Sequence, residues 1–545
     1  SKPVPSGPSP RPSAAWTPPC CPPVGRVDAR PGRIPLSFAQ QRMWFINKLD
    51  PSSGMYNIPA LLRVSGSLDV DALRVALGDV VARHEVLRTT FPSADGGEPF
   101  QVVHGVDEIA ERLDWRQVGA ISDVEAALSG GFALEREWPV RARVLESGPG
   151  GEHVVAVVMH HIASDGESLA PLVTDLVAAY LSRSSGESPV FGPLDVQYAD
   201  YAIWQRNVLG SPDDAESVVG RQLAYWTEQL AGLPDVLELP ADRARPQAAS
   251  GRGVRTVFEV PSAVAERVRK VAEARGMTPF MVLHAALAVT LSRLSATDDI
   301  AIGTPIAGRG QEALDPLVGM FVNTLVLRTV VDPGTSFSLF LQQVHKADVD
   351  AFANADVPFE AVVDAVDPVR SEAFTPLAQV MLVAAPKTGD VPQEMDFGDL
   401  RFAPVVIEEV PAQRDLTLYV EIGAEGVWSG SVVAATDLFD ASTAQRMSEW
   451  FVRVLDVLSA DPSVAVGDVD LLSAGERVAL AQLPSPVTQT KNAGRTLVDL
   501  FTDSVVAHGD RVAVSASGRS LSYAELDARS DAVAAGLAAR GCGCW

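Results

Sequence analysis

Apolar residues fall into two long regions, 34–208 and 209–475, in which helical and strand periods alternate. In the second region Val264, Val268, Val271 and Ala272 share one helical face. Ser262 is placed to cap that helix and Gly276 to end it. Thr278-Pro279 opens another helix, with proline in the first turn, where a missing N–H costs nothing. Strand-like runs are Val254–Val260, Asp299–Ile302, Asn323–Val331 and Gln379–Val383. In the first region His153 to Met159 reads as a buried strand that ends on His160-His161. Leu169, Leu172, Val173, Leu176 and Ala179 then line one face of a helix. Strand, polar turn and helix in that order present side chains from a rigid strand end into a cleft. The alternation predicts two α/β lobes with mixed sheets.

The flanks read differently. Residues 1–33 are dense in Pro, Ser and Gly and form a linker that cannot bury enough apolar surface to order itself. Residues 476–495 read as a second linker, and a new amphipathic pattern occupies 496–545, too short for a large independent domain. The composition, 47% hydrophobic and 21% charged, is that of a folded chain. A net charge of −25 argues against a general nucleic-acid binder, which needs a basic face. The longest apolar stretch, Pro279 to Leu294, is interrupted by His284, Thr290 and Arg293, so no membrane span is expected. The N-terminus shows no signal-peptide pattern. Cys20, Cys21, Cys542 and Cys544 lie at the extremes, which excludes a disulfide framework or a cysteine zinc site in the middle. A reducing, cytoplasmic setting is expected.

The chemistry concentrates in residues 160–166, His-His-Ile-Ala-Ser-Asp-Gly. A bare histidine pair at a strand end is most often structural. A metal site lacks a further His or Cys at ligand spacing. The whole run is far more specific than the pair. His160-His161-x-x-x-Asp165-Gly166 resembles the HHxxxDG signature of the condensation superfamily. Alone, that signature also fits an epimerisation domain or an acyl-CoA-dependent acyltransferase. Six further segments, in the order and spacing of condensation-domain motifs, narrow it: 37–44 (SFAQQRMW), 83–91 (RHEVLRTTF), 198–205 (YADYAIWQ), 302–324 (IGTPIAGR through VGMFVNT), 357–360 (VPFE) and 376–381 (PLAQVM). Across roughly 34–475 the chain resembles a condensation domain of the nonribosomal peptide synthetases. The opening motif and residues 56–59 (YNIP) look most like the subtype that takes an L-configured donor.

The resemblance implies an α/β fold of two chloramphenicol-acetyltransferase-like lobes, a V-shaped pseudo-dimer with the active site in the cleft or tunnel between them. It implies attack of an acceptor α-amine on a donor thioester, forming an amide. No cofactor is bound covalently; both substrates arrive on the phosphopantetheine arms of upstream and downstream peptidyl carrier domains. An adenylation domain of the same assembly line is the other expected partner. His161 matches the histidine that accepts or orients the amine proton, and a neutral imidazole suits that task. His160 is expected to shape the turn and Gly166 to flank the donor channel, beyond its ordinary value as a turn glycine. Asp165 is expected to hold the loop by pairing with an arginine, for which Arg88 is the candidate; otherwise Arg88 is a surface residue at a helix end.

Glu167 stands where the family often has Trp, and with Arg83 it is a candidate for the channel or a docking surface. A solvated Glu in a first helical turn is the plainer reading of Glu167. Ala378 replaces a usual Phe, and Asn354 a frequent His. Residues 496–501 (TLVDLF) and 521–526 (LSYAEL) resemble the truncated start of an adenylation domain, with no phosphate loop and no carrier motif, so a piece of a larger assembly line is expected. The terminal Gly541 to Trp545 matches nothing in that family. A non-catalytic recruitment module on the same fold, or an epimerisation domain, are the competing readings.

Overall fold

A computed structural model describes residues 22–540, apart from 95–96, 149–151, 387–394, 398–399, 406–409, 483–494 and 517–518. Most of the Pro-rich linker, the centre of the second linker and the Cys-containing ends lie outside the described residues. The chain divides into two compact units, Ser1–Leu471 and Leu472–Trp545.

The first unit is built on two main sheets. Along the chain, β1 (Asn57–Ser65), β2 (Asp114–Val118), β3 (Val140–Gly148) and β4 (Glu152–His160) form most of the first sheet. Next, β5 (Arg252–Val260), β6 (Asp299–Ile306), β7 (Asn323–Val330) and β8 (Val380–Pro386) enter the second sheet. The chain then returns. Strands β9 (Met395–Phe397) and β10 (Leu400–Pro404) join the edge of the first sheet, where β10 pairs antiparallel with β1, Phe402 opposite Val64. Finally β11 (Val410–Pro411), β12 (Leu416–Ile422) and β13 (Trp428–Ala435) complete the second. The strand orders are β9-β10-β1-β4-β3-β2 and β7-β6-β8-β12-β13-β5-β11. Both mix parallel with antiparallel pairs, β2 with β3 in the first and β8 with β12 in the second being parallel. The first lobe is thus not one continuous stretch of sequence.

Central strand β4 has neighbours on both sides, β1 and β3. Val155, Val157, Val158 and Met159 are buried, and Val155, Val157, Val158 and Met159 join one core with Leu172, Leu176 and Ala179 from the helix α1 (Leu169–Ser184). That burial explains the continuous apolar run. In the second lobe the helix α2 (Ser262–Glu273) buries Val264, Val268, Val271 and Ala272, the face read from the sequence. Its cap differs: Pro261 is the cap and Ser262 is already helical. Thr278 caps α3 (Pro279–Ser295), accepting from the Met281 N–H, with Pro279 in the first turn. Gly276 sits at φ +64°, the left-handed backbone that glycine adopts freely, just past the end of α2.

The lobes share core. Residues Leu314, Leu317, Val318, Met320 and Phe321, on the connection from β6 to β7, are buried in the first lobe's hydrophobic core although both flanking strands belong to the second sheet.

The second unit holds helices Leu497–His508 and Tyr523–Ala539 and a hairpin of Val512–Ala516 with Arg519–Ser522. Capping boxes at Thr496/Asp499 and Ser522/Glu525 start the helices. None of its described residues is buried.

Candidate active site

Two backbone hydrogen bonds fix the histidine pair. His160 N–H donates to the Pro139 carbonyl at 2.9 Å and His161 N–H to the Tyr56 carbonyl at 2.8 Å, extending the ladders of β4 with its neighbours. The chain then tightens into one 3-10 turn, His161–Ala163, whose start is capped by His160: Nδ1 accepts from Ile162 N–H at 3.1 Å. With Nδ1 accepting, His160 faces inward, its ring edge-on to Phe132. It is 2% exposed, whereas His161 is partly exposed. The two histidines therefore differ: one is buried and holds the turn, the other is partly exposed.

His161 Nδ1 lies 2.8 Å from the sulfur of Met320, on the connection that crosses from the second lobe. A thioether only accepts, so this hydrogen bond needs the proton on Nδ1, and the lone pair is left on Nε2. Burial pushes the His160 imidazole down to about 3, with His161 and Arg141 acting the same way. Burial also lowers His161; its own carbonyl, Asp165 and the Ser164 carbonyl oppose it, and Arg42 reinforces it. Both rings are thus neutral near pH 7.

Asp165 is fully buried and saturated with donors. Its Oδ1 accepts from Ser168 N–H at 2.9 Å, Ser168 O–H at 2.6 Å and Arg309 Nη2 at 3.2 Å, and its Oδ2 from Phe321 N–H at 2.9 Å. The arginine expected opposite Asp165 is therefore Arg309, not Arg88. Arg88 lies at the end of a 3-10 turn, donates to the His104 carbonyl and sits 3.7 Å from Glu85. Arg309 adds bonds to the Leu314 and Leu317 carbonyls, at 2.6 and 2.8 Å, and lies 4.2 Å over the Phe321 ring. It folds the crossing connection upon itself and ties it to the signature turn.

Arg83, the other channel or docking candidate, bridges Asp175 of α1 at 2.8 Å, donates to the Gly192 carbonyl and lies over the Phe191 ring. Glu167 is exposed at the entry to α1. Gly166 is exposed, and a Cβ there would meet nothing within 4 Å, so the turn itself does not demand glycine. Gly319 does demand it: a Cβ would come within 2.1 Å of the Tyr198 ring. Tyr198 in turn donates to the Met320 carbonyl at 2.5 Å and lies 2.8 Å from Ser37 Oγ, and burial raises its pKa.

Sequence reading thus placed the turn but missed Met320, Ser168, Tyr198 and the role of Arg309. Arg309 and Met320 lie inside a segment singled out by its motif, yet nothing along the chain says that they meet residues about 150 positions upstream.

The family model for the condensation domain matches residues 31–481. The chain is 45% identical over 519 residues to a probable non-canonical nonribosomal peptide synthetase, CymA, of Salinispora arenicola, covering 94% of this chain and 7% of that protein. It is 40% identical over 527 residues to an isonitrile lipopeptide synthase of Mycobacterium tuberculosis, covering 94% and 21%. It thus spans less than a quarter of either relative. Among solved structures, the X-domain in complex with OxyB from teicoplanin biosynthesis is similar at 32% identity and TM-score 0.74, over 83% of this chain and 99% of that one. The first condensation domain of the calcium-dependent antibiotic synthetase shares the fold, with TM-score 0.63 and 22% identity over 82% and 100%. The mixed sheets are those of two chloramphenicol-acetyltransferase-like lobes, and the chain belongs to the condensation-domain family of the nonribosomal peptide synthetases.

Proposed function

We propose that residues 34–475 catalyse amide formation between two carrier-bound substrates. The acceptor α-amine nitrogen attacks the donor thioester carbonyl, the C–N bond forms, the C–S bond breaks, and the proton lost by nitrogen ends on the departing thiol. One observation carries this reading: His161 combines partial exposure with a tautomer that turns its lone pair away from Met320. Nε2 then accepts a hydrogen bond from the amine and orients its own lone pair toward the carbonyl. A base whose pKa lies below the ordinary histidine value is a weak proton acceptor, so orientation is its larger contribution, and orientation is worth up to about 7–11 kcal/mol in favourable cases. General base help adds ~10²–10⁴-fold where it operates.

His160 and Asp165 are positioning residues in this scheme, and Gly166 lines the donor path. Residues 37–44 and 56–59 support the L-configured donor subtype, and residues 496–545 are the truncated start of an adenylation domain, in keeping with a second unit none of whose described residues is buried. Upstream and downstream carrier domains are the partners.

A second reading, a non-catalytic recruitment module, draws on the likeness to an X-domain that was captured with OxyB. The intact signature and its complete hydrogen-bond set favour catalysis. Mass spectrometry of carrier-bound products, after mixing the chain with two loaded carriers, decides: a dipeptidyl carrier supports condensation, and inverted donor stereochemistry alone supports epimerisation. Unchanged carriers, with a tailoring enzyme retained by the chain, support recruitment.

A further inference from the structure

Arg414 lies between β11 and β12, on the second lobe, and is 9% exposed. Its guanidinium donates to the Ala378 carbonyl and sits 5.8 Å from the centre of the Phe359 ring. Arg42, from the first lobe, approaches the same ring at 5.7 Å. Two carboxylates stand near, and both are taken: Glu360 pairs with Arg42 at 2.9 Å and Asp415 with Arg245 at 2.5 Å. Among the described residues Arg414 has no carboxylate within ion-pair distance. Burial pulls its pKa down to about 10, and Arg42 adds to the strain, while Tyr56, Glu360 and Asp415 oppose it only from a distance. A buried cation without a counter-charge is costly, and such groups concentrate where a ligand supplies the missing charge.

The surroundings say where that ligand would sit. The helix that carries Arg42, Phe38–Leu49, packs on the His161–Ala163 turn, and Arg42 and Arg414 approach the same Phe359 ring. Arg414 therefore lies on the second-lobe side of the seam whose first-lobe side carries the reacting histidine. A guanidinium has five N–H donors, and the bond to the Ala378 carbonyl leaves a fork free for a planar oxyanion.

We infer that Arg414 is a specificity-determining residue that binds an anionic group, a side-chain carboxylate of the aspartyl or glutamyl kind, on an amino acid held in the cleft. The inference rests on the condensation reading for its substrate class, but charge recognition is measurable without catalysis. Arg414 carries the missing half of an ion pair that the acidic substrate completes on arrival.

The test is calorimetric titration of the full chain with stable amide-linked aminopantetheine conjugates of glutamate and glutamine. Each conjugate is offered with a free amine, as acceptor mimic, and N-acylated, as donor mimic; the pair that shows the preference identifies the side. The wild-type chain is expected to bind one glutamyl conjugate at least tenfold more tightly than its glutaminyl partner. Arg414→Gln keeps a donor for the Ala378 carbonyl but no charge, and the ratio should fall to near one while circular dichroism and melting stay close to wild type. Arg414→Lys should retain part of the preference. Equal binding of both conjugates by wild type, binding of neither, or a preference that survives in Arg414→Gln each overturns the assignment. A chain that shows the preference but makes no dipeptide keeps this site and loses the catalytic reading. One that makes dipeptides without acid preference does the reverse.

Discussion

Removing Arg309 should unlock the signature turn more than any change at Arg88. Arg309→Ala leaves the Asp165 carboxylate fully buried without its cation. Breaking a buried pair from one side costs about 3–5 kcal/mol. The lost bonds to the Leu314 and Leu317 carbonyls act in the same direction, without adding in full. Asp165→Ala orphans Arg309 together with the Phe321 and Ser168 N–H groups, so its cost is similar. The double variant loses both charges at once and should be less damaged than the sum. A coupling energy of about 1.5–3 kcal/mol is expected from residues in one buried network. The assay is urea unfolding of the four chains of the cycle, followed by tryptophan fluorescence. A parallel cycle with Arg88→Ala and Asp165→Ala is the control, expected below about 0.5 kcal/mol because the two groups share no partner. Coupling below 0.5 kcal/mol for Arg309 with Asp165, or above 1.5 kcal/mol for Arg88 with Asp165, would refute the assignment.

Other outcomes follow from the same geometry. Gly319→Ala forces a methyl group against Tyr198 and should cost about 1–3 kcal/mol in unfolding, as overpacking does, while lowering turnover through displaced Met320. The Cβ of Gly166→Ala meets open space, so stability should stay within about 0.5 kcal/mol; a fall in turnover of donor-loaded carrier places Gly166 on the donor path, and unchanged turnover removes it. The pH dependence has a definite sign. His160 is neutral in the folded chain down to about 3 but protonates near 6.5 when unfolded, so its stability contribution is whole above pH 6.5 and is lost as pH falls from there toward 3. Each unit of that window removes roughly 1.4 kcal/mol, and His160→Asn should flatten the slope of unfolding free energy between pH 6 and 4 by about that much per unit.

Much of this was legible along the chain. The His153 to Met159 run, the polar turn and the Leu169 to Ala179 face reappear as β4, the 3-10 turn and α1, because each keeps one period over enough residues to fix its type. The core face of α2 and the proline start of α3 were legible for the same reason. What periodicity cannot carry is partnership. Strands β9 and β10 are short and join a sheet whose other strands lie more than two hundred residues upstream, so a single boundary near residue 208 missed them. The resemblance implied an arginine opposite Asp165, for which Arg88 was the candidate, and the actual one, Arg309, arrives on a connection from the other lobe, 144 residues away. The contacts of Arg83 with Asp175 and Phe191 were likewise not visible in sequence.

The central claim is that this site makes an amide and that His161 orients the amine for it. Quench-flow of the chain with a donor-loaded and an acceptor-loaded carrier, read by mass spectrometry of the acceptor carrier, measures it directly. A dipeptidyl product is expected from wild type, and His161→Ala should form it at a rate lower by ~10²–10⁴-fold, with the melting transition retained. Dipeptide formation at the wild-type rate in His161→Ala, or none by wild type with any loaded pair, would contradict the account.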